Sequence, residues 1–452
     1  MTKALHKDKK RRVPVLKLVV SQFQRFTQFE TSEGILLLVC AVIALIWVNS
    51  AWGESYDHFW HTELSFAVPG ASVTRSLLHW INDGLMVLFF LVVGMEIKRE
   101  ILIGELSSVK KASLPVIAAV GGMVMPAIIY VLLNKGTEGA PGWGIPMATD
   151  IAFSLGVLTL LGKRIPLQLK VFLMAFAIAD DIGAVIVIAV FYATAFSWIH
   201  LFSAGVILAV LIAANRAGIR SLPVYVFLGV LLWMSFLDSG IHATVAGVLL
   251  AFTIPARSKL DKRTFLEHAR AILTELEGKS EDQGESSAEE NRQAAVRALA
   301  QEAEDFEVPA RRLEHALHPW VSYCIIPLFA LANAGVRFDV SVATIATNPV
   351  TLGVFLGLIL GKQLGITLFS WAGVRLKMAS LPSSVTWMQI YGVAWLGGIG
   401  FTMSIFITNL AFPAGELSEL SKTGIYVASV VAGAGGLWIL RRIRILPSSQ
   451  RA

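Results

Sequence analysis

The sequence predicts an all-α polytopic membrane protein of about twelve transmembrane helices, organised as inverted repeats with two discontinuous helices. Three observations predict it. The 452-residue chain is 55% hydrophobic and only 15% charged, with a mean hydropathy of +0.66, whereas a soluble domain carries about 25% charged residues. Apolar runs near the roughly 17–25 residues that a bilayer requires recur along most of its length. Two of these runs are interrupted, one by proline beside an aspartate and one by clustered glycines.

Spans 1 to 12 are predicted at 33–52, 77–97, 112–133, 144–162, 168–192, 198–215, 222–237, 239–256, 315–335, 349–373, 389–411 and 421–440. Basic residues precede the run Ile35 to Val48, as they do in a cleavable signal. Here, however, about thirty mostly polar residues come first, and the run ends at Asn49-Ser50-Ala51-Trp52 without a small-residue cleavage site. It reads as the first span. Loop charge tests the count independently, because cytoplasmic loops are enriched in Lys and Arg. Lys3, Lys7 and Lys9 to Arg12 place the N-terminal tail inside, and Glu54, Asp57 and Glu63 place the next loop outside. Lys98 with Arg99, Lys163 with Arg164, Arg216 with Arg220, Arg375 with Lys377, and Arg441 with Arg442 return the chain inside at each second loop. The expected organisation is a basic tail (1–32), spans 1–8 (33–256), a charged insertion (257–312), spans 9–12 (313–440) and a tail (441–452). Both termini are expected in the cytoplasm.

The pI near 9.3 does not indicate nucleic acid, because the basic residues sit between apolar runs rather than on one surface. No zinc spacing, P-loop or dinucleotide glycine motif is present, so no cofactor is expected. The two cysteines, Cys40 and Cys324, lie inside apolar runs and read as packing residues. The insertion is different in kind. Phe265, Ala269, Ile272 and Leu276, and later Val296, Leu299, Ala303 and Phe306, recur at helical spacing around a polar stretch at 278–287. Two amphipathic helices joined by a flexible linker are expected there. Either a solvated insertion or a regulatory element fits that pattern.

Ionisable residues at membrane depth cost about 2.5–3.5 kcal/mol each on insertion scales and default to functional hypotheses. Asp150, Asp180, Asp181 and Lys362 are near the centres of spans 4, 5 and 10. Facing lipid they would together cost roughly 10–14 kcal/mol, so they must face one another or water. One reading is an internal ion pair that only holds helices together. It explains adjacent aspartates poorly, since one lysine cannot neutralise two or three carboxylates. Neighbouring carboxylates in a low-dielectric site titrate as a coupled unit. A small cation entering the pair would displace protons, and that competition is sufficient for exchange.

Span 4 is interrupted at Pro146-Met147-Ala148-Thr149-Asp150, and span 11 at Gly397-Gly398-Ile399-Gly400. Non-helical backbone at membrane depth is tolerated only where it is buried in protein or lines a cavity. Span 3 runs outward and span 10 inward. Spans 3–5 and 10–12 are therefore two three-helix units of opposite orientation, each with its broken helix second. Secondary transporters place their site where such broken helices meet. Asp150 and Lys362 are placed to compensate the half-helix ends.

The residues just quoted resemble those of the NhaA family of bacterial sodium/proton antiporters, one of the families from which the inverted-repeat description was drawn. Further blocks carry the resemblance over nearly the whole chain: Ile81-Asn82-Asp83-Gly84, Gly94 through Glu100, Ser239 through Thr244, Leu313-Glu314-His315 and His318-Pro319-Trp320, Pro327 through Val336, and Gly398 through Ile407. The resemblance implies that Asp180 and Asp181 bind Na⁺ or Li⁺ and carry protons, with Thr149 and Asp150 alongside. It implies that Lys362 pairs with Asp180 and releases it when the ion arrives. Two protons would exchange per sodium, moving one net charge per cycle. It also implies pH control through Glu96, Arg99, Glu100, Glu314 and His318; ordinary solvated helix ends explain these five equally well. For His242 it implies a pH-related role, against which a helix-end hydrogen bond stands level. The segment 54–76, with Pro69-Gly70 between apolar stretches, corresponds to the hairpin through which relatives form homodimers. The insertion departs from the family pattern by its length and charge.

Two other classes also place ionisable groups in a membrane. An intramembrane aspartyl protease would use two helix-borne aspartates, but the chain lacks the Gly-x-Gly-Asp signature such enzymes share, and adjacent aspartates on one helix point about 100° apart. A cation-coupled symporter for organic solutes would need groups for that solute, and the midplane offers little beyond carboxylates and Lys362.

Overall fold

Hydrocarbon offers backbone N–H and C=O groups no water, so a crossing segment must satisfy them within itself, and helices do so. The computed structural model describes residues 32–68, 71–193, 196–256, 262–279, 292–299, 308–337 and 341–443. Among them, seven helices are individually long and apolar enough to cross a bilayer: Leu77–Leu102, Val109–Asn134, Leu167–Phe191, Trp198–Arg216, Pro309–Asn333, Pro349–Arg375 and Glu416–Arg442. They are spans 2, 3, 5, 6, 9, 10 and 12. Spans 7 and 8 are the shorter apolar helices Leu222–Leu237 and Thr244–Thr253. The protein is an all-α, multi-pass membrane protein.

Some boundaries differ from the sequence reading. Span 1 is Ser32–Val48; the chain then turns by 114° into the helix Gly53–His61 rather than continuing to residue 52. Span 8 begins at Thr244 rather than 239, and Lys98 closes its other end by donating to the carbonyls of Ala251, Phe252 and Ile254, which no later turn satisfies. Segment 54–76 contains an antiparallel hairpin, Glu63–Val68 with Ala71–Ser76, in register from Glu63↔Ser76 to Val68↔Ala71. Cys324 is exposed on its helix, so it is not the packing residue expected. In the insertion, the first expected helix is Lys262–Lys279, and residues 292–299 are helical. Gly278 and Lys279, expected to begin the linker, end the first helix instead, while residues 280–287, Ala303, Phe306 and the tail 1–31 lie outside the described residues.

Large apolar side chains face outward, Val109 at 88% and Phe202 at 74% exposure, as a lipid-facing surface requires. The interior is made by close helix crossings. Spans 3 and 10, the first helices of the two repeat units, meet at Gly121 and Gly365. A Cβ on Gly121 would lie 2.2 Å from the Gly365 carbonyl oxygen, and one on Gly365 would lie 2.0 Å from that of Gly121. Small residues that let backbones touch are the usual device of membrane helix pairs. The contact brings Lys362, one turn from Gly365, into the middle of the bundle, where it is fully buried. A π-helical turn at Gly357–Gly361 immediately precedes it, an irregularity frequent at functional sites.

Candidate functional site

The site is built from the ends of four half-helices. Span 4 consists of a 3₁₀ segment, Ala140–Met147 (4a), and the helix Ile151–Thr159 (4b). Span 11 consists of Trp387–Gly397 (11a) and Phe401–Ala411 (11b), bent by 46°. Helix ends leave backbone groups unpaired, and here each break pairs those of the other. Asp150 N–H donates to Ile399 O at 2.7 Å. The Thr149 hydroxyl donates to Gly397 O at 2.9 Å, and the Ser154 hydroxyl to Leu396 O at 2.8 Å. In return, the Ser404 hydroxyl on 11b donates to Ile145 O at 2.8 Å.

Asp150 joins both N-termini. Its Oδ1 caps 4b by accepting from Phe153 N–H at 3.0 Å, and its Oδ2 accepts from Thr402 N–H at 3.1 Å and from the Thr402 hydroxyl. A carboxylate is favoured at the positive end of a helix dipole, and this one serves two. Asp150 thus sits at two half-helix ends with three of its lone-pair directions occupied. Lys362 is different: its Nζ meets the Asp180 carboxylate and the Phe176 ring rather than a half-helix end.

Span 5 presents the two aspartates in different directions, as successive residues on a helix must. Asp180 Oδ2 accepts from Lys362 Nζ at 2.8 Å, with the ammonium 5.7 Å from the Phe176 ring centre. Lys362 and Asp180 are 0% and 1% exposed at the side chain. Asp181 instead lines a cavity of about 210 Å³, together with Thr149, Asp150, Thr402, Glu96 and Arg99. Of the two span-5 aspartates the cavity therefore exposes Asp181, beside a hydroxyl, Thr149, and a further carboxylate, Asp150. A hard cation prefers such oxygens. Asp180 stands behind that surface, held by its lysine.

The pH candidates divide. Glu96, Arg99 and His318 line the mouth of the same cavity, at the end of the bundle where the Lys/Arg-rich loops lie. Arg99 bridges to the buried Glu314, and its Nε is 4.0 Å from Glu100 Oε1. Glu100 turns from the cavity to accept from Glu105 N–H at 2.9 Å. His242 lies at the other end of the bundle. Its Nε2 is 3.0 Å from Asp83 Oδ1 and its Nδ1 is 2.8 Å from the Thr244 hydroxyl, at the start of span 8. His79 Nδ1 approaches the other Asp83 oxygen at 3.0 Å.

Sequence reasoning missed Asp83 and Glu33. Asp83 lay inside a quoted block but near a span end, where a carboxylate is cheap, and its two histidine partners are distant in sequence or half-exposed. Glu33 opens span 1 as an ordinary first-turn acid, yet it lines the cavity with Asp181. Thr402 and Ser404 were visible only as polar residues after the glycines, without a partner to name.

A membrane-spanning bundle with two crossed, broken helices, and buried carboxylates opening onto a cavity, defines a secondary ion transporter rather than an enzyme. Comparison with known proteins narrows the class. A family model described as Na⁺/H⁺ antiporter 1 matches residues 24–440. A Na⁺/H⁺ antiporter NhaA of Koribacter versatilis (strain Ellin345) is 48% identical over 450 residues, 100% of this chain and 97% of that protein. NhaA of Oleidesulfovibrio alaskensis is 47% identical over 428 residues, covering 95% of each chain. NhaA 2 of Syntrophotalea carbinolica is 48% identical over 421 residues, 93% of this chain and 96% of that one. The chain belongs to the NhaA family of Na⁺/H⁺ antiporters.

Proposed function

We propose that the protein exchanges cytoplasmic Na⁺, or Li⁺, for external H⁺ across a bacterial inner membrane, two protons per sodium, under pH control. The observation that carries this reading is the division of labour in span 5, where Asp181 faces the cavity and Asp180 is tied to Lys362. A cation entering from the basic end meets Asp181 and Thr149 first. Its charge displaces the proton that a carboxylate in a dry site otherwise holds. Completing its oxygen shell with Asp180 requires the bond to Lys362 to break, so binding and release of the lysine are linked. Asp150 keeps the crossing together while this happens. The Lys/Arg-rich loops at the cavity end support a cytoplasmic side there, and with it cytoplasmic termini, by the positive-inside rule. The Glu96–Arg99–Glu314 group at the cavity mouth sets the pH range, by controlling the charge that an entering cation meets. The hairpin Glu63–Val68 with Ala71–Ser76 is the segment through which two copies pair.

The test is a ΔpH assay in inside-out vesicles from antiporter-deficient cells. Na⁺ or Li⁺ should dissipate a respiration-driven gradient, with activity depending on pH. Asp181→Asn should abolish dissipation while leaving the protein inserted at normal levels. Failure of both ions at every pH tested would end the exchange reading, and full activity in Asp181→Asn would move the site elsewhere.

A further inference from the structure

The cavity that reaches Asp181 comes from one end of the bundle; a second cavity, of about 280 Å³, lies at the other end, lined by Asp57, Asn82, Asn333, Asn409, Glu419 and Lys422. Half-helix 11b runs between them. Thr402, Phe406 and Asn409 are spaced i, i+4, i+7 and share one face of it. Thr402 binds Asp150 at the ion site, and Asn409 reaches the far cavity, about 10 Å further along at 1.5 Å per residue. Phe406 stands between them, 1% exposed. Its ring centre is 5.3 Å from that of Phe90, 5.3 Å from His242 and 6.1 Å from Phe329.

Above this plug three asparagines from three elements are joined. Asn82 and Asn333 form a reciprocal amide pair, at 3.1 Å and 2.8 Å, and Asn409 donates to the same Asn333 oxygen at 2.7 Å. Asn333 also donates to Phe329 O at 2.9 Å, so its amide is anchored to the helix that carries one wall of the plug. Asn82 sits in a π-helical turn, Trp80–Leu85, of span 2. These bonds tie the outer end of 11b to spans 2 and 9. A movement of 11b that withdrew the Phe406 ring from between Phe90 and Phe329 would have to break these bonds.

We propose that Phe406 is the plug of the external gate and that Asn82, Asn333 and Asn409 are its latch, positioning residues that hold 11b shut while Asp181 is open to the basic end. The proposal rests on the exchange reading above, in which the ion leaves on the side opposite to its entry. When the latch parts, 11b swings its Thr402–Asn409 face away from spans 2 and 9, and the ion leaves along that face into the Asn-lined cavity. Two barriers that alternate, rather than a continuous pore, are what coupled exchange requires.

The experiment replaces Cys40 and Cys324 by serine and introduces Met403→Cys, whose side chain lines the Asp181 cavity, as a reporter. A membrane-impermeant, positively charged thiol reagent is applied to right-side-out and to inside-out vesicles. Asn409→Leu, which removes the latch donor at similar volume, should speed external labelling about two- to tenfold, the population shift that loss of one neutral hydrogen bond produces. Labelling from the cytoplasmic side should be no faster, and Asn409→Gln should return the external rate towards the parent. Should Asn409→Leu fail to insert, Asn82→Leu removes the reciprocal bond and carries the same expectation. Unchanged external labelling, or an equal rise from both sides, overturns the proposal. Na⁺-driven ΔpH collapse by the unmodified chain is measured separately, so failure of exchange is distinguished from failure of the latch.

Discussion

At Lys362 an amine is fully buried, 2.8 Å from the equally buried Asp180 carboxylate. A buried pair of this kind contributes little net stability, but removing one partner strands the other charge and costs about 3–5 kcal/mol. Lys362→Met should therefore lower the thermal stability of the detergent-solubilised protein by that order. Adding Asp180→Asn to it should recover most of the loss, because neither side chain then carries a charge, while Na⁺-dependent ΔpH collapse stays absent. A double variant as unstable as the single one would show that the pair is not what Lys362 stabilises. These residues were legible in the sequence because a charge inside an apolar run is conspicuous whatever surrounds it. Glu33 and Asp83 were not, because acids near helix ends look alike until the fold shows which of them face a cavity or a histidine.

The broken helices were legible for a different reason. Proline and clustered glycine interrupt apolar runs at matching places in two units of opposite direction, and that symmetry needs no side-chain detail. What the pattern could not supply was the reciprocity of the crossing, in which Thr149, Ser154 and Ser404 each bond to a carbonyl of the other span. Hydroxyls inside apolar helices are common and carry no address. The Gly121–Gly365 contact was equally silent, since any glycine in a membrane helix is a candidate for close approach. Its cost is now specific. Gly365→Ala places a Cβ 2.0 Å from backbone oxygen, where neither helix can yield without separating. It should destabilise the protein by about 1–3 kcal/mol, the usual cost of overpacking, or more, and displace Lys362 with its helix. Gly205→Ala, with nothing within 4 Å of its Cβ, should be neutral or gain up to about 1 kcal/mol of helix propensity. Paired melting curves check both; equal curves for the two would mean that spans 3 and 10 do not rely on the glycine contact.

Across the whole molecule the arrangement is polar. A cavity ending at Asp181 opens towards the Lys/Arg-rich loops, and an Asn-lined one opens at the far end. Loop charge made this axis readable from sequence, whereas the gate between the cavities was not, because Phe90, Phe329, Phe406 and the three asparagines belong to spans 2, 9 and 11 and meet only in the fold. The direction of the axis matters because, under the exchange proposed above, two protons would move against one sodium and transfer one net charge along it. A membrane potential then contributes about 2.3 kcal/mol per 100 mV to sodium extrusion. Each tenfold concentration ratio corresponds to about 1.36 kcal/mol, so 100 mV should sustain a sodium gradient of about fiftyfold with no pH difference across the membrane. Purified protein in vesicles, with pH strongly buffered at the same value on both sides, is given a potassium diffusion potential through valinomycin, and internal ²²Na⁺ is followed to its plateau. Two-for-one exchange predicts a plateau that scales tenfold for about every 60 mV imposed, in the direction set by the sign of the potential. One-for-one exchange moves no net charge, so its plateau would be the same at every potential; that outcome would mean that only one of the groups around Asp181, Asp180 and Lys362 yields a proton when sodium binds.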